Sequence, residues 1–231
     1  MHSSLFTEFD CVVVFDTETT GVEPARDEII ELGAVRLTAA GEQAGMDRLI
    51  RLSPGRDLPP FITELTGITP DRLAAEGVEK AAAARAFCSL LAGAERPLLV
   101  AYNAQFDLNF LYRLLLGAGC AEALGPPRFL DALTVYRDRR DYPHKLCDAI
   151  GAYGLEDRAV NSHRAVDDAR AAVLLLEAME QERNDLLRYI DLFGYNARYG
   201  VSGRRIASVT YRAQPYRRTL PLYDLPPEGT V

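Results

Sequence analysis

A short run of β-branched and other apolar residues, Cys11–Phe15, leads directly into the acid Asp16. This pattern is typical of a buried strand that ends in a polar group. Two further segments with strand-like composition, Ile29–Leu37 and Gly45–Leu52, follow with only a short turn between them. A short turn between two such segments favours antiparallel pairing. The first part of the chain is therefore predicted to form a three-stranded meander.

After the meander, strand-like and helix-like segments alternate along the chain. Strands are predicted at Pro97–Tyr102 and Arg128–Asp131, and a loop is predicted at Thr17–Asp27. Helices are predicted at Val78–Leu91, Phe106–Leu116, Ala132–Arg139, His144–Tyr153 and His163–Arg183. Asn161 or Ser162 is the expected N-cap of the last helix, because short polar side chains favour that position. A meander followed by this alternation predicts an α/β fold in which helices cover a mixed sheet.

Cysteine usage and apolar run lengths exclude several classes of protein. The four cysteines occur singly, without a CxxC pair, which argues against a zinc site or a disulfide framework. A reducing, cytoplasmic location is therefore expected. No segment approaches the roughly 20 apolar residues of a membrane span, so no membrane partner is expected. The sequence also lacks Walker A and GxGxxG motifs, which argues against P-loop nucleotide hydrolysis and dinucleotide binding.

Three separate segments place carboxylates at the end of a predicted strand or the start of a predicted helix. Asp16 and Glu18 are two residues apart, so on an extended chain their side chains project to the same side. Asp107 follows a strand in the first turn of a helix, and His163 precedes Asp168 by five residues. Each piece alone fits a helix-dipole or solvated-turn role. Together they match the oxygen ligands of two divalent cations, with a histidine that can accept a proton near neutral pH.

These segments resemble the three motifs of a known nuclease family. FDTETTG from Phe15, YNAQFD from Tyr102 and HRAVDDA from His163 resemble the motifs of the DEDDh 3′→5′ exonucleases, which include the proofreading epsilon subunit of bacterial DNA polymerase III. The resemblance covers about residues 9–182. It implies a ribonuclease-H-like fold, in which helices flank a five-stranded mixed sheet. It also implies hydrolysis that releases nucleoside 5′-monophosphates.

The resemblance implies a role for each candidate site residue. The implied ligands of two Mg²⁺ or Mn²⁺ ions are Asp16, Glu18, Asp107 and Asp168. Asp16 is expected to contact both ions, Glu18 and Asp168 the ion that holds the attacking water, and Asp107 the second ion. His163 is the expected general base. Asp167 is the nearest rival to Asp168, and the motif spacing favours Asp168. Tyr102 occupies a position at which many relatives have histidine.

Contacts with the terminal nucleotide are also implied. The candidate substrate-binding residues are Thr17, Thr19, Thr66, Gly67, Ile68, Asn103 and Phe106. Thr66–Ile68 lies in Leu65–Thr69, which resembles the family segment that contacts the terminal nucleotide, although a plain glycine turn explains the same residues. Phe106 can stack on a base. It also forms a helical stripe with Phe110 and Leu114 that fits a core position.

The C-terminal part of the chain differs from the rest in charge. The chain has a net charge of -7, yet the stretch Arg183–Arg218 contains eight arginines and two acids. We therefore divide the chain into an exonuclease domain, 1–182, and an extension rich in arginine and tyrosine, 183–231. Its tyrosines favour an arm that docks on the domain or on a second copy in a homodimer. Its arginines suit phosphate contacts, and Thr219–Tyr223 loosely resembles peptides that bind the sliding clamp.

The sequence therefore predicts a metal-dependent 3′→5′ exonuclease that acts on single-stranded or frayed DNA in proofreading or repair. A DNA polymerase or a sliding clamp is a candidate partner. An exoribonuclease that trims RNA is an alternative, because only a few pocket contacts sense a 2′-hydroxyl. A catalytically silent module that binds nucleic acid or a polymerase is another. The complete acidic set argues against a silent module, because such carboxylates repel one another without a metal.

Overall fold

A mixed sheet forms the centre of the computed structural model, which describes residues 3–194, 208–214 and 220–225. Its strands are β1 (Cys11–Thr19), β2 (Ile29–Thr38), β3 (Gly41–Leu49), β4 (Pro97–Ala101) and β5 (Arg128–Asp131). The five strands are ordered β3-β2-β1-β4-β5. β1 pairs antiparallel with β2, and β2 with β3, whereas β4 runs parallel to both β1 and β5. The predicted meander and the predicted mixed sheet are both confirmed.

Helices cover both faces of this sheet. They are α1 (Leu5–Glu8), α2 (Pro60–Thr66), α3 (Pro70–Glu76), α4 (Lys80–Leu91), α5 (Ala104–Gly117), α6 (Ala132–Arg139), α7 (Leu146–Ala152) and α8 (Ala165–Glu182). The five predicted helices correspond to α4–α8 within a few residues. The short helices α2 and α3 were not predicted. Each has a proline in its first turn, where a backbone N–H would have no acceptor within the helix, so proline costs no hydrogen bond. Within the described parts of the chain, none of the helices has the length and apolar character of a membrane span.

Successive side chains of β1 point to opposite faces of the sheet, and both sets are buried under helices. Val12 and Val14 pack in a cluster with side chains of α6, α7 and α8. Val13 and Phe15 pack in a second cluster with side chains of α4 and α5. This two-sided burial explains why the strand reads as a continuous apolar run.

The end of β1 forms an open edge of the sheet. β4 pairs with β1 only as far as Val14, whereas β2 continues to pair with it, placing Asp16 opposite Gly33 and Glu18 opposite Glu31. The predicted loop at Thr17–Asp27 is therefore wrong in its first residues, because pairing with β2 keeps the chain extended. Both acids thus lie on a rigid strand.

The described parts of the C-terminal extension pack on this same body. A 3₁₀ turn follows α8, and β6 (Leu192–Gly194) then pairs in parallel with β7 (Thr210–Arg212). Tyr189, Phe193 and Leu222 are fully buried. Tyr189 and Leu222 join the cluster under α8, and Phe193 joins the cluster under α5. The extension thus contributes to both layers of the core.

Candidate active site

The two acids of the first motif lie close together at the open end of β1. Asp16 and Glu18 are partly exposed and alternate with buried threonines along the strand. Burial, followed by the charges of Asp107 and Glu18, raises the pKa of Asp16 well above its ordinary value. Burial, followed by the charge of Asp168, raises the pKa of Glu18 to about 9. Without a counter-charge, therefore, these carboxyl groups resist ionisation together.

Asp107 of the second motif lies beside this strand in the first turn of α5. Its side chain is 2% exposed, and its Oδ1 accepts hydrogen bonds from the Thr17 N–H (3.0 Å) and the Thr17 hydroxyl (2.7 Å). Burial raises the pKa of Asp107 to about 7, although the two bonds from Thr17 lower it. Asn103 adopts a left-handed conformation (φ 69°), which turns the chain from β4 into the helix. Thr17 therefore connects the first two motifs.

Asp168 of the third motif lies in the first turn of α8 and is 6% exposed. Its Oδ2 accepts a hydrogen bond from Asn161 Nδ2 (2.8 Å). Its Oδ1 is buried, and no donor in the described parts of the chain reaches it. Burial raises the pKa of Asp168 to about 6. Asp167 instead accepts a hydrogen bond from the exposed Ser162 hydroxyl (2.8 Å), which favours Asp168 as the site residue.

Histidine and carboxylates from different parts of the chain come together here. Glu18, His163 and Asp168 each offer one ligand atom, and these atoms lie within 4.8 Å of one another. The raised pKa values and the unpartnered Oδ1 of Asp168 would both be relieved by a cation held between the side chains. Carboxylate oxygens are the ligands that Mg²⁺ and Mn²⁺ prefer. The residues therefore fit a divalent cation.

The start of α8 differs from the prediction. Asn161 and Ser162 are not its N-cap, because the helix begins at Ala165 with Arg164 in the N-cap position. The Ala165 N–H donates to Glu31 Oε2 (2.9 Å), so a carboxylate on β2 supplies the cap that a local side chain was expected to give. The bonds of Asn161 and Ser162 to the acids of the first turn hold the preceding loop instead.

Two buried acids outside the predicted site support its elements. Glu31 is fully buried on β2, and Asp131 is buried at the end of β5. Asp131 Oδ1 accepts from the Ala104 N–H (2.9 Å) at the start of α5, and its Oδ2 accepts from the Thr134 hydroxyl (2.5 Å). Burial raises the pKa of Asp131. A signal for Glu31 exists in the sequence, because an acid within an apolar strand requires a partner.

Three of the residues predicted to contact the nucleotide have side chains that are buried in the protein. The Thr19 hydroxyl is buried and donates to Gly21 O (2.6 Å). The buried Thr66 hydroxyl donates to Ile62 O (2.8 Å), and Ile68 is fully buried. The side chains of Thr19, Thr66 and Ile68 are thus engaged within the protein. Thr66 and Ile68 are buried because α2 and α3 pack together over the turn that joins them.

The other predicted nucleotide contacts have different surroundings. Gly67 is exposed and ends α2 in a left-handed conformation (φ 69°). Asn103 is partly exposed, and Phe106 is partly exposed with its ring 4.9 Å from that of Phe110. Tyr102, the residue that departs from the family pattern, donates its hydroxyl to His144 O (2.8 Å). Contacts of all seven candidate substrate-binding residues with a nucleotide stay predictions.

Comparison with known sequences agrees with the exonuclease motifs. The sequence model of the family described as Exonuclease (RNase_T) matches residues 13–176. The chain is 34% identical over 173 residues to the DNA polymerase III subunit epsilon of Treponema pallidum, covering 71% of this chain and 74% of that protein. It is 33% identical over 222 residues to the PolC-type DNA polymerase III of Bacillus subtilis, covering 92% of this chain but only 14% of that protein. The chain thus spans a small part of the PolC-type relatives.

Comparison with solved structures concerns the fold. Exonuclease I superposes with a TM-score of 0.68 at 21% sequence identity, covering 78% of this chain and 43% of that chain. Escherichia coli exonuclease I in complex with a dA16 oligonucleotide gives a TM-score of 0.67 at 20% identity, covering 78% of this chain and 42% of that chain. The shared architecture agrees with the sheet and helix layers described above.

Proposed function

Because this chain belongs to the Exonuclease family, we propose that it is a divalent-metal-dependent 3′→5′ exonuclease that shortens single-stranded or frayed DNA and releases nucleoside 5′-monophosphates. The family match confirms the exonuclease class that the three motifs predict. The observation that carries the proposal is the convergence of Glu18, His163 and Asp168 at the end of β1, close to Asp16 and Asp107.

The side chains of the site have three different tasks in this proposal. The carboxylates that would hold the cations are Asp16, Glu18, Asp107 and Asp168. Divalent cations supply a bound water of lowered pKa and neutralise charge on the phosphate. Thr17 fixes the orientation of Asp107 through two hydrogen bonds. His163 accepts the proton of the attacking water, and because its side chain is exposed it can pass that proton to solvent.

The relatives favour DNA as the substrate. The Treponema pallidum relative is a DNA polymerase III subunit, and one fold neighbour was solved with a DNA oligonucleotide. We therefore assign this chain to proofreading or repair, with a DNA polymerase as a candidate partner. The sequence region shared with PolC-type polymerases agrees with a nuclease domain that works beside a polymerase.

We propose that the extension, 183–231, stabilises the catalytic domain by docking on its own chain. Leu222 is fully buried and its N–H donates to Asp138 Oδ2 (2.6 Å), while Gln214 Nε2 donates to Thr134 O (3.0 Å). The burial of Leu222, the second leucine of Thr219–Tyr223, argues against binding of this segment to a sliding clamp. Thr219 itself lies outside the described residues. Docking in cis also disfavours exchange of the arm in a homodimer.

The test is a digestion of three substrates by one preparation. Single-stranded DNA, duplex DNA with a mismatched 3′ end and RNA of the same sequence are labelled at the 5′ end and incubated with Mg²⁺, Mn²⁺ or EDTA. We expect both DNA substrates to shorten one nucleotide at a time from the 3′ end, only with a cation, and RNA to shorten much more slowly. Absence of shortening with either cation would contradict the proposal, and faster digestion of RNA would contradict the assigned substrate.

A further inference from the structure

We propose that Glu31 and Arg164 form a brace that positions His163 for proton transfer. The brace rests on the proposed function, because it acts through the histidine that serves as the general base there. Glu31 lies on β2, which carries none of the predicted metal ligands, and Arg164 directly follows His163 in the chain. Both are therefore positioning residues.

The buried Glu31 carboxylate binds both the Arg164 side chain and the backbone that follows it, and Arg164 Nη2 also donates to Asp47 Oδ2 (3.3 Å). Glu31 Oε1 accepts hydrogen bonds from Arg164 Nε (2.8 Å) and Nη2 (2.5 Å). Its other oxygen, Oε2, accepts the N–H of Ala165 (2.9 Å). Charge-assisted bonds of this kind are short and directional. Since the guanidinium and the next amide both bind one buried side chain, the backbone after His163 has little freedom.

The chain before His163 is fixed as well. The Ser162 hydroxyl donates to Asp167 (2.8 Å), and Asn161 donates to Asp168 (2.8 Å). His163 lies between these anchors and the brace, with its backbone in the left-handed region (φ 53°). A non-glycine residue keeps such a conformation when its surroundings determine it. The anchors on both sides therefore determine where the exposed imidazole is placed.

The brace relates this histidine to the first motif. Glu31 lies directly opposite Glu18 in the pairing of β1 with β2. Two residues further on, Gly33 lies opposite Asp16, and a Cβ at Gly33 would come within 2.1 Å of Val166 N. The first turn of α8 therefore rests directly on β2, and Glu31 fixes the distance between the histidine and the acids of β1.

A purely structural ion pair is the competing explanation, and α8 offers a matched control for it. Arg170, also on α8, donates to Glu42 on β3 (3.0 Å), and both side chains are exposed. This pair links the same helix to the same sheet but lies away from His163. Loss of the Arg170 pair reports what a bridge between helix and sheet contributes when it does not hold the histidine.

The experiment is a double-mutant cycle on turnover. Turnover is measured on single-stranded DNA with Mn²⁺ for wild type and six variants. These are Arg164→Met, Arg164→Lys, His163→Ala, each Arg164 variant combined with His163→Ala, and the control Arg170→Met. We expect Arg164→Met to lower kcat at least tenfold with little change in KM, Arg164→Lys to recover part of the loss, and Arg170→Met to match wild type. In the His163→Ala background, neither Arg164 change should lower kcat further, because the group that it positions is absent.

Three outcomes would overturn the brace. The first is a kcat for Arg164→Met equal to that of Arg170→Met, and the second is a loss that multiplies with that of His163→Ala. If Arg164→Met does not fold, the same double-mutant cycle is carried out with Arg164→Lys, which keeps the positive charge but lacks the planar guanidinium group. The third is an inactive wild type, which overturns the proposed function and the brace together. The first two outcomes are seen with an active wild type, so they overturn the brace alone.

Discussion

Replacement of Asp168 by asparagine should stabilise the metal-free protein while abolishing its activity. Asp168 Oδ2 accepts from Asn161 Nδ2 (2.8 Å), and an asparagine oxygen can accept the same bond. The asparagine amide would then occupy the place of the buried Oδ1. One oxygen of Asp168 lies within 4.8 Å of ligand atoms of Glu18 and His163, so the substitution also changes the group of cation ligands. The substitution therefore removes a charge without removing the contact that holds the side chain.

The magnitude follows from the raised pKa of Asp168. Burial raises this pKa from 3.8 to about 6, so the folded wild type loses stability as pH rises from the first value through the second. The penalty is about 1.6 kcal/mol at pH 5 and about 3 kcal/mol at pH 8, since a tenfold change in a dissociation constant corresponds to ~1.4 kcal/mol. Asp168→Asn should escape this penalty, so its advantage over wild type should grow with pH.

Urea unfolding in EDTA at pH 5 and pH 8 measures this difference. Asp167→Asn is the matched control, because Asp167 is adjacent and its side chain accepts a hydrogen bond from the exposed Ser162 hydroxyl. We expect Asp168→Asn to be more stable than wild type at pH 8 by up to about 3 kcal/mol. Mn²⁺ should stabilise wild type and Asp167→Asn much more than Asp168→Asn. Equal stability of Asp168→Asn and wild type at both pH values would refute the reasoning.

Three further changes test other parts of the structure. Thr17→Val removes the hydroxyl bond that lowers the pKa of Asp107, so activity should fall about tenfold and its acidic limb should move to higher pH, as measured by rate against pH with Mg²⁺. Gly33→Ala places a methyl group 2.1 Å from Val166 N, so α8 must shift. We expect the free energy of unfolding to fall by about 1–3 kcal/mol and the turnover to fall as well, and unchanged values would contradict the close packing. Truncation after Glu182 removes fully buried aromatic side chains worth about 1.5–3 kcal/mol each, so circular dichroism should show an unfolded or strongly destabilised chain; a stable truncated domain would contradict docking.

Local patterns in the sequence were sufficient for much of the site. Asp16 and Glu18 are two residues apart on a strand, so their common direction follows from strand geometry alone. Asp107 lies in a first helical turn, as predicted from the strand before it. Asp168 also lies in a first turn, because α8 begins at Ala165 and not at the predicted His163. Apolar strand runs and helical periodicity likewise predicted the strands and the long helices.

Contacts between distant parts of the chain could not be predicted. Glu31 and Arg164 are separated by 133 positions, and their pairing depends on how α8 lies on the sheet. The expected cap at Asn161 or Ser162 was wrong for the same reason, because Glu31 supplies the acceptor. The burial of Ile68 depends on α2 and α3, whose prolines and short lengths hide their periodicity.

The most direct test of the central claim compares wild type with Asp16→Ala on 5′-labelled single-stranded DNA in Mn²⁺. The claim is that Asp16 and the other carboxylates of the site hold the cations required for hydrolysis. We predict stepwise shortening from the 3′ end by wild type, none by wild type in EDTA, and none by Asp16→Ala, with circular dichroism showing the same fold for both proteins. Shortening by folded Asp16→Ala at the wild-type rate, or shortening by wild type in EDTA, would contradict the claim.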